Sequence, residues 1–257
     1  MILYCDGDSY VAGTELGDVI LPEHPGFLPW SCPKELVKRN NEWINRTLNG
    51  DLAHIRKQLA EKIAILEKEK AFSNKIANKL NIEVINAALG GSSMDAICRR
   101  TLTNLIKLKD KDNVVAVIGL TDPWRFELPN SNSDAVPWIC VHPSSEVEHI
   151  KDVTKYMVIA EKNYHSLVKF YKNIITIKDF CKLNNIKLIF IDRNLVKGVE
   201  TQFENYEDYV NLKNYSNFVA DLNLLEIVKN LDEVMCPAHH FNEKVHEIIA
   251  NKVIELI

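Results

Sequence analysis

Ile2-Leu3-Tyr4-Cys5-Asp6-Gly7-Asp8-Ser9 opens the chain, and the fold turns on how it is read. Residues 2–5 form an unbroken apolar run, as expected of a short strand buried on both faces. The text then becomes polar and glycine-dotted. A serine just past a strand and at the start of a helix presents its hydroxyl at the sheet rim, with its own N–H at the positive end of the helix. Both features suit a nucleophile whose attack generates an oxyanion. Taken alone, Ser9 also reads as the N-cap of a tight turn, and Asp8 as a helix cap.

Working outward, the same text recurs. Residues 82–86 read as a second strand, running into Ala87-Ala88-Leu89-Gly90-Gly91-Ser92-Ser93. Residues 114–118 are a β-branched apolar run ending in Gly119-Leu120-Thr121-Asp122, and residues 187–191 are another such run. Val234-Met235 reads as a short fifth strand. Between them lie helical patterns over 94–108, with Ser92 or Ser93 as N-cap, over 155–183 as one helix or two, and over 241–257. Strands alternating with helices predict a parallel sheet covered on both faces. The fold class is α/β: a three-layer α/β/α sandwich of flavodoxin-like type with about five parallel strands. Such sheets bind ligands at the carboxyl ends of their strands, where the polar segments fall.

Two stretches lie outside this rhythm. Over 51–80, Leu52, Ile55, Leu59, Ile63 and Leu66 recur at helical spacing, which predicts an amphipathic helix broken near Phe72-Ser73. It is a helical insertion in a single domain spanning 1–257. Its charged residues form a solvated face or a coiled-coil face for a partner. Residues 121–150 are proline-containing and aperiodic, as in a lid or binding loop. There, Trp124, Arg125, Glu127 and Trp138 either pack the loop down or wall a substrate, with Arg125 meeting an anionic group.

The 257 residues carry a net charge of -4, without the basic face that nucleic acid requires. The six cysteines are scattered, with no CxxC pair, and read as reduced thiols. No run of about 18 apolar residues predicts a membrane span. The N-terminus lacks a signal-peptide pattern, so the expected location is the cytoplasm. Cys236, His239, His240 and His246 are spaced in no zinc pattern, and the phosphate-binding patterns GxxxxGK[ST] and GxGxxG are missing. No metal or cofactor is expected.

A serine nucleophile needs a base, and histidine is the usual one. His240, just before the last helix, is in place for that work, although alone it also reads as a surface or capping histidine. With these residues in view, the chain resembles the SGNH, or GDSL-type, hydrolase superfamily. Gly7-Asp8-Ser9 is similar to block I. Asn86 to Ser93 is similar to block II, N-x-G-x-x-G, with Asn86 and Gly91 fitting and Ala88 at the first glycine. Gly119-Leu120-Thr121-Asp122 is similar to block III, G-x-N-D, with Thr121 at the asparagine. The text from His239 onward is similar to block V, matching His240, Asn242, His246 and Ala250. The blocks run in family order. N-A-x-x-G-G-S-S and T-D-x-x-R-x-E are similar to members encoded by tailed bacteriophages, for which virion association would be the alternative location.

The resemblance implies a serine esterase with Ser9 as nucleophile and His240 as base. Backbone N–H groups of Ser9 and Gly91 would hold the oxyanion, with Thr121 as third donor, and Asn86 and Arg125 would complete the oxyanion and substrate-binding set. The implied substrate is a small-molecule or carbohydrate ester bearing a small O-acyl group. Two positions depart from the pattern. Pro237 stands where block V has its aspartate, so the third member is Asp232, Glu233 or Asp192, or is replaced by a backbone carbonyl. Thr121 offers a shorter arm than asparagine. Both departures point to the alternative of an inactive homologue with a binding or structural role.

Overall fold

The computed structural model describes residues 1–29, 34–129, 138–141, 152, 163–193, 203–237 and 240–257. The strands are β1 (Ile2–Asp6), β2 (Glu83–Asn86), β3 (Val114–Gly119), β4 (Phe126–Pro129), β5 (Trp138–Val141), β6 (Lys187–Asp192) and β7 (Leu222–Asn223). Five of them form one parallel sheet in the order β2-β1-β3-β6-β7. The opening strand sits inside that sheet, paired on both edges, which is why residues 2–5 are continuously apolar.

The helices are α1 (Ser9–Ala12), α2 (Lys34–Leu48), α3 (Ala53–Gln58), α4 (Ala60–Lys70), α5 (Phe72–Leu80), α6 (Met94–Lys107), α7 (Asn163–Leu183), α8 (Glu207–Ser216), α9 (Leu224–Val228) and α10 (Glu243–Leu256). Alternate residues along each strand feed opposite cores. Leu3, Cys5, Val117 and Ile189 pack with Phe72 and Ile76 of α5 and with Val245 and Ile249 of α10. Tyr4, Ala116, Ile118 and Phe190 pack with Ile97 of α6 and with Phe170 and Ile174 of α7. The three-layer α/β/α reading therefore holds.

Several expectations are corrected. The fifth strand is Leu222–Asn223, which takes the free edge of β6 with Ile191 opposite Leu222. Met235 instead makes isolated antiparallel bridges to Leu28 and Phe241, tying an early loop to the start of α10. The helical text over 51–80 forms three helices, with breaks at Leu59 and at Ala71, whose ψ of 143° is extended. Helix α2 follows directly on a stretch punctuated by Pro22, Pro25, Pro29 and Pro33. It is mostly polar and buries Trp43 against Leu21, Leu52 and Ile63. The stretch after β3 contains an antiparallel ribbon, β4 with β5, where a loop was expected. Helix α7 is described from Asn163; the expected turns over 155–162 lie outside the described residues. Among the described residues no helix is long and apolar enough to cross a membrane.

Candidate active site

The carboxyl ends of β1, β2 and β3 and the turn before α10 carry the site residues. At the end of β1 the chain must turn sharply into α1. A Cβ on Gly7 would lie 2.4 Å from Val11 Cγ2, and one on Gly119 at the end of β3 would lie 2.3 Å from the same atom. Val11 is thus wedged between two strand ends, and only glycine fits at either. Asp8 caps α1, its Oδ1 accepting from the Tyr10 N–H at 3.1 Å. Ser9 follows as the first residue of α1 and is 6% exposed.

Beneath this turn lies an ion pair that the sequence reading missed. Asp6, at the end of β1, is wholly buried and pairs with Arg100 of α6. Its carboxylate also accepts from Tyr4 Oη at 3.0 Å, Thr101 Oγ1 at 3.1 Å and the Gly7 N–H at 2.7 Å. Burial pushes the Asp6 carboxyl upward, with Arg100 opposing. Arg100 also donates to the Gly7 carbonyl and to Ser92 Oγ, both at 3.1 Å. One guanidinium therefore fixes the turn after β1 to the turn after β2.

In that second turn the Leu89 N–H donates to the Gly7 carbonyl at 3.2 Å. A Cβ on Gly90 would lie 3.7 Å from Ser9 Cβ, so this turn faces Ser9. Gly91 has a φ of +77°, a left-handed conformation suited to glycine. Asn86 is engaged in scaffolding: its Oδ1 accepts from the Ala88 N–H at 3.2 Å, and its Nδ2 donates to Ser73 Oγ at 3.0 Å. Ser93 is the N-cap of α6, accepting from the Ala96 N–H.

Thr121 is fully buried, and its single hydroxyl proton goes to Asp8 Oδ2 at 3.1 Å. To serve an oxyanion it would have to give up that bond. Arg125 Nη1 donates to Thr121 Oγ1 at 3.0 Å and lies 3.4 Å from Asp8 Oδ2 and 3.5 Å from the Ser92 carbonyl. Farther along, Glu127 pairs with Arg99 of α6 at 2.6 Å, and the Arg99 guanidinium lies over the Trp138 ring. These two residues hold the ribbon to α6.

His240 lies against the residue next to Ser9: its ring centroid is 5.5 Å from that of Tyr10. The carboxylate at its Nδ1 is Glu15, at 2.7 Å, and the same oxygen accepts the His240 backbone N–H at 3.2 Å. Glu15 is 4% exposed, and its φ of +71° is unusual for a residue with a side chain. Its N–H donates to Glu67 Oε1 at 2.7 Å, which anchors the strained turn. With Nδ1–H donated to Glu15, Nε2 is left as the basic nitrogen.

None of the three acids expected as a third member lies at this nitrogen among the described contacts. Asp232 and Glu233 are exposed, and the Oδ1 of Asp192 accepts from the Arg193 N–H at the end of β6. The acid beside the imidazole comes from 225 positions earlier, just past the α1 C-cap Gly13. Its signal in the sequence is a single glutamate six residues after Ser9. Pro237 is buried in the turn before His240. His246, also matched to block V, is structural: its Nδ1 accepts the Phe72 N–H at 3.1 Å, and burial lowers its pKa to about 3. Among the described residues no group of three or more His, Cys, Asp and Glu side chains could hold a metal ion; His239 lies outside them.

Solved structures similar to the chain are those of G-D-S-L-family proteins and esterases. A psychrotrophic esterase from Pseudoalteromonas sp. is 10% identical, with a TM-score of 0.49 over 99% of this chain and 94% of that one. A member of the lipolytic protein G-D-S-L family from Veillonella parvula is 11% identical, with a TM-score of 0.46 over 100% and 98%. A family two carbohydrate esterase from Clostridium thermocellum is 13% identical, with a TM-score of 0.46 over 100% of this chain and 63% of that one. The likeness is one of architecture and assigns no activity to this chain. No protein-family model matches the sequence, and no curated protein does.

Proposed function

We propose that the protein is a serine esterase of SGNH type acting through a Ser9–His240–Glu15 relay. The observation that carries this reading is the Glu15 carboxylate 2.7 Å from His240 Nδ1, beside the residue that follows Ser9. It supplies an acid that the block V text lacks. Ser9 Oγ attacks the ester carbonyl carbon while His240 Nε2 takes its proton. Glu15 stabilises the imidazolium that forms. The oxyanion is received by the backbone N–H groups of Ser9 and Gly91. On collapse the C–O bond breaks, Nε2 returns the proton to the leaving alcohol, and acyl-Ser9 remains. Water then repeats the sequence and releases the acid. The block resemblance points to a small O-acyl group on a carbohydrate as the substrate.

A second reading, an inactive homologue with a binding role, is favoured by one observation: the Thr121 hydroxyl is already committed to Asp8. Loss of one oxyanion donor typically lowers kcat by about 10²–10³-fold, so a slow enzyme is the expected intermediate outcome. Hydrolysis of p-nitrophenyl acetate by the wild type, Ser9→Ala and His240→Ala separates the two. Turnover that falls by about 10³-fold or more in either variant supports the esterase. Turnover at the level of free imidazole, unchanged by either substitution, supports the binding protein.

A further inference from the structure

We infer that Arg125 and Arg193 together form a subsite for a carboxylate, so that the esters cut here carry a negative charge close to the scissile bond. This rests on the esterase reading and adds a substrate class to it. Arg193, just past β6, lies over the Tyr10 ring, with its Cζ 3.8 Å from the ring centroid. Its Nη2 is 3.5 Å from Asp8 Oδ2, the oxygen that Arg125 Nη1 approaches to 3.4 Å. Both guanidiniums thus meet residues that flank Ser9, namely Asp8 before it and Tyr10 after it. Arg125 also reaches the carbonyl of Ser92, the residue after Gly91.

The charges do not balance. Asp8 is one carboxylate between two guanidiniums, and closer neutral donors already hold it: the Tyr10 N–H and the Thr121 hydroxyl, each at 3.1 Å. The two arginine contacts are long for charge-assisted hydrogen bonds. The side chains are 21% and 15% exposed, against 2% for Asp8, so solvent reaches the arginines and not the carboxylate they share. The Nε of Arg193 is buried with no hydrogen-bond partner among the described residues. Among the described residues both guanidiniums pair with Asp8, and these three side chains together carry one net positive charge.

A single net charge and two planar forks fit a monoanion with two coplanar oxygens, which is a carboxylate. A dianion would leave one charge uncompensated. The carboxylate takes no part in bond making: water still divides the ester into acid and alcohol, and the charged group stays on the sugar. An acidic sugar bearing an O-acyl group is the ligand chemistry that answers both the relay and the arginine pair.

Binding tests this apart from turnover. Calorimetric titration of Ser9→Ala with O-acetylated glucuronic acid and with its methyl ester compares a charged and a neutral ligand of one shape. The acid is expected to bind about tenfold or more tightly, as befits a charge-assisted contact, and to lose most of that preference in 0.5 M salt. Adding Arg193→Gln should bring the two affinities close together, while Arg193→Lys, which keeps the charge, retains part of the difference. Equal affinities in Ser9→Ala, no binding of either compound, or a preference that survives Arg125→Gln/Arg193→Gln would each overturn the subsite. Equal affinities with wild-type turnover of both esters would remove the subsite and leave the esterase standing.

Discussion

Glu15→Ala removes the only carboxylate found at His240 Nδ1 among the described contacts. Two N–H groups lose their acceptor at once, the backbone N–H of His240 at 3.2 Å and its Nδ1–H at 2.7 Å. Nothing then fixes the tautomer that leaves Nε2 basic, and nothing offsets the imidazolium charge. In serine hydrolases the corresponding loss lowers kcat by about 10⁴-fold, or roughly 5.4 kcal/mol of barrier. Glu15→Gln keeps an acceptor of the same shape while losing the charge, so its loss should be smaller than that of alanine. The assay is steady-state hydrolysis of p-nitrophenyl acetate, with urea unfolding as a control on folding. Alanine keeps the left-handed strain at position 15, where the φ is +71°. Glu15→Gly should relieve that strain, worth on the order of 1 kcal/mol, and so be more stable than Glu15→Ala while equally short of activity. The reasoning is refuted if Glu15→Ala stays within about tenfold of wild type. It is equally refuted if Asp192→Asn, Asp232→Asn or Glu233→Gln causes the larger loss.

Other expectations follow from the buried groups around the site. Arg100→Met strands the Asp6 carboxylate in the core and should destabilise by about 3–5 kcal/mol; burial already raises the Asp6 carboxyl, so urea midpoints should show a smaller loss at pH 5 than at pH 8. Burial holds His246 neutral, with its pKa lowered from 6.5 to about 3. The unfolded chain therefore binds the extra proton between those values, and stability falls as pH drops from 6.5 toward 3, by up to about 5 kcal/mol. The stability of His246→Leu should depend less steeply on pH over that window. Gly119→Ala drives a Cβ to 2.3 Å from Val11 Cγ2 and should cost about 1–3 kcal/mol. Combining it with Val11→Ala should recover part of that loss in a double-mutant cycle.

The sheet was readable because its strands are covered on both sides, so residues 2–5, 114–118 and 187–191 appear as plain apolar runs. The helix N-caps at Asp8 and Ser93 were readable for a local reason, a short polar side chain bonding an N–H two or three residues on. The edge strand Leu222–Asn223 was not, since two residues have no periodicity and its pairing with β6 is set by the fold. Helix α2 hid behind four prolines and a largely polar sequence. For the proposed site, text-level matching supplied Ser9, Gly91, Thr121 and His240. It missed Glu15, because a contact spanning 225 residues leaves no local pattern. It missed Arg100 and Arg193 for the same reason: each meets residues more than 90 positions away, Arg100 at Asp6 and Arg193 at Asp8. Thr121 shows the opposite failure, a residue found by position whose hydroxyl is bonded to Asp8.

The central claim is that one hydroxyl at the rim of the first strand is made nucleophilic by an imidazole from the far end of the chain. Exposure of the wild-type protein to a fluorophosphonate, followed by peptide mass mapping, measures that directly. The account predicts a single adduct on Ser9, formed at a rate that drops sharply in both His240→Ala and Glu15→Ala. An adduct on another residue, or labelling of Ser9 at an unchanged rate in those variants, would contradict it.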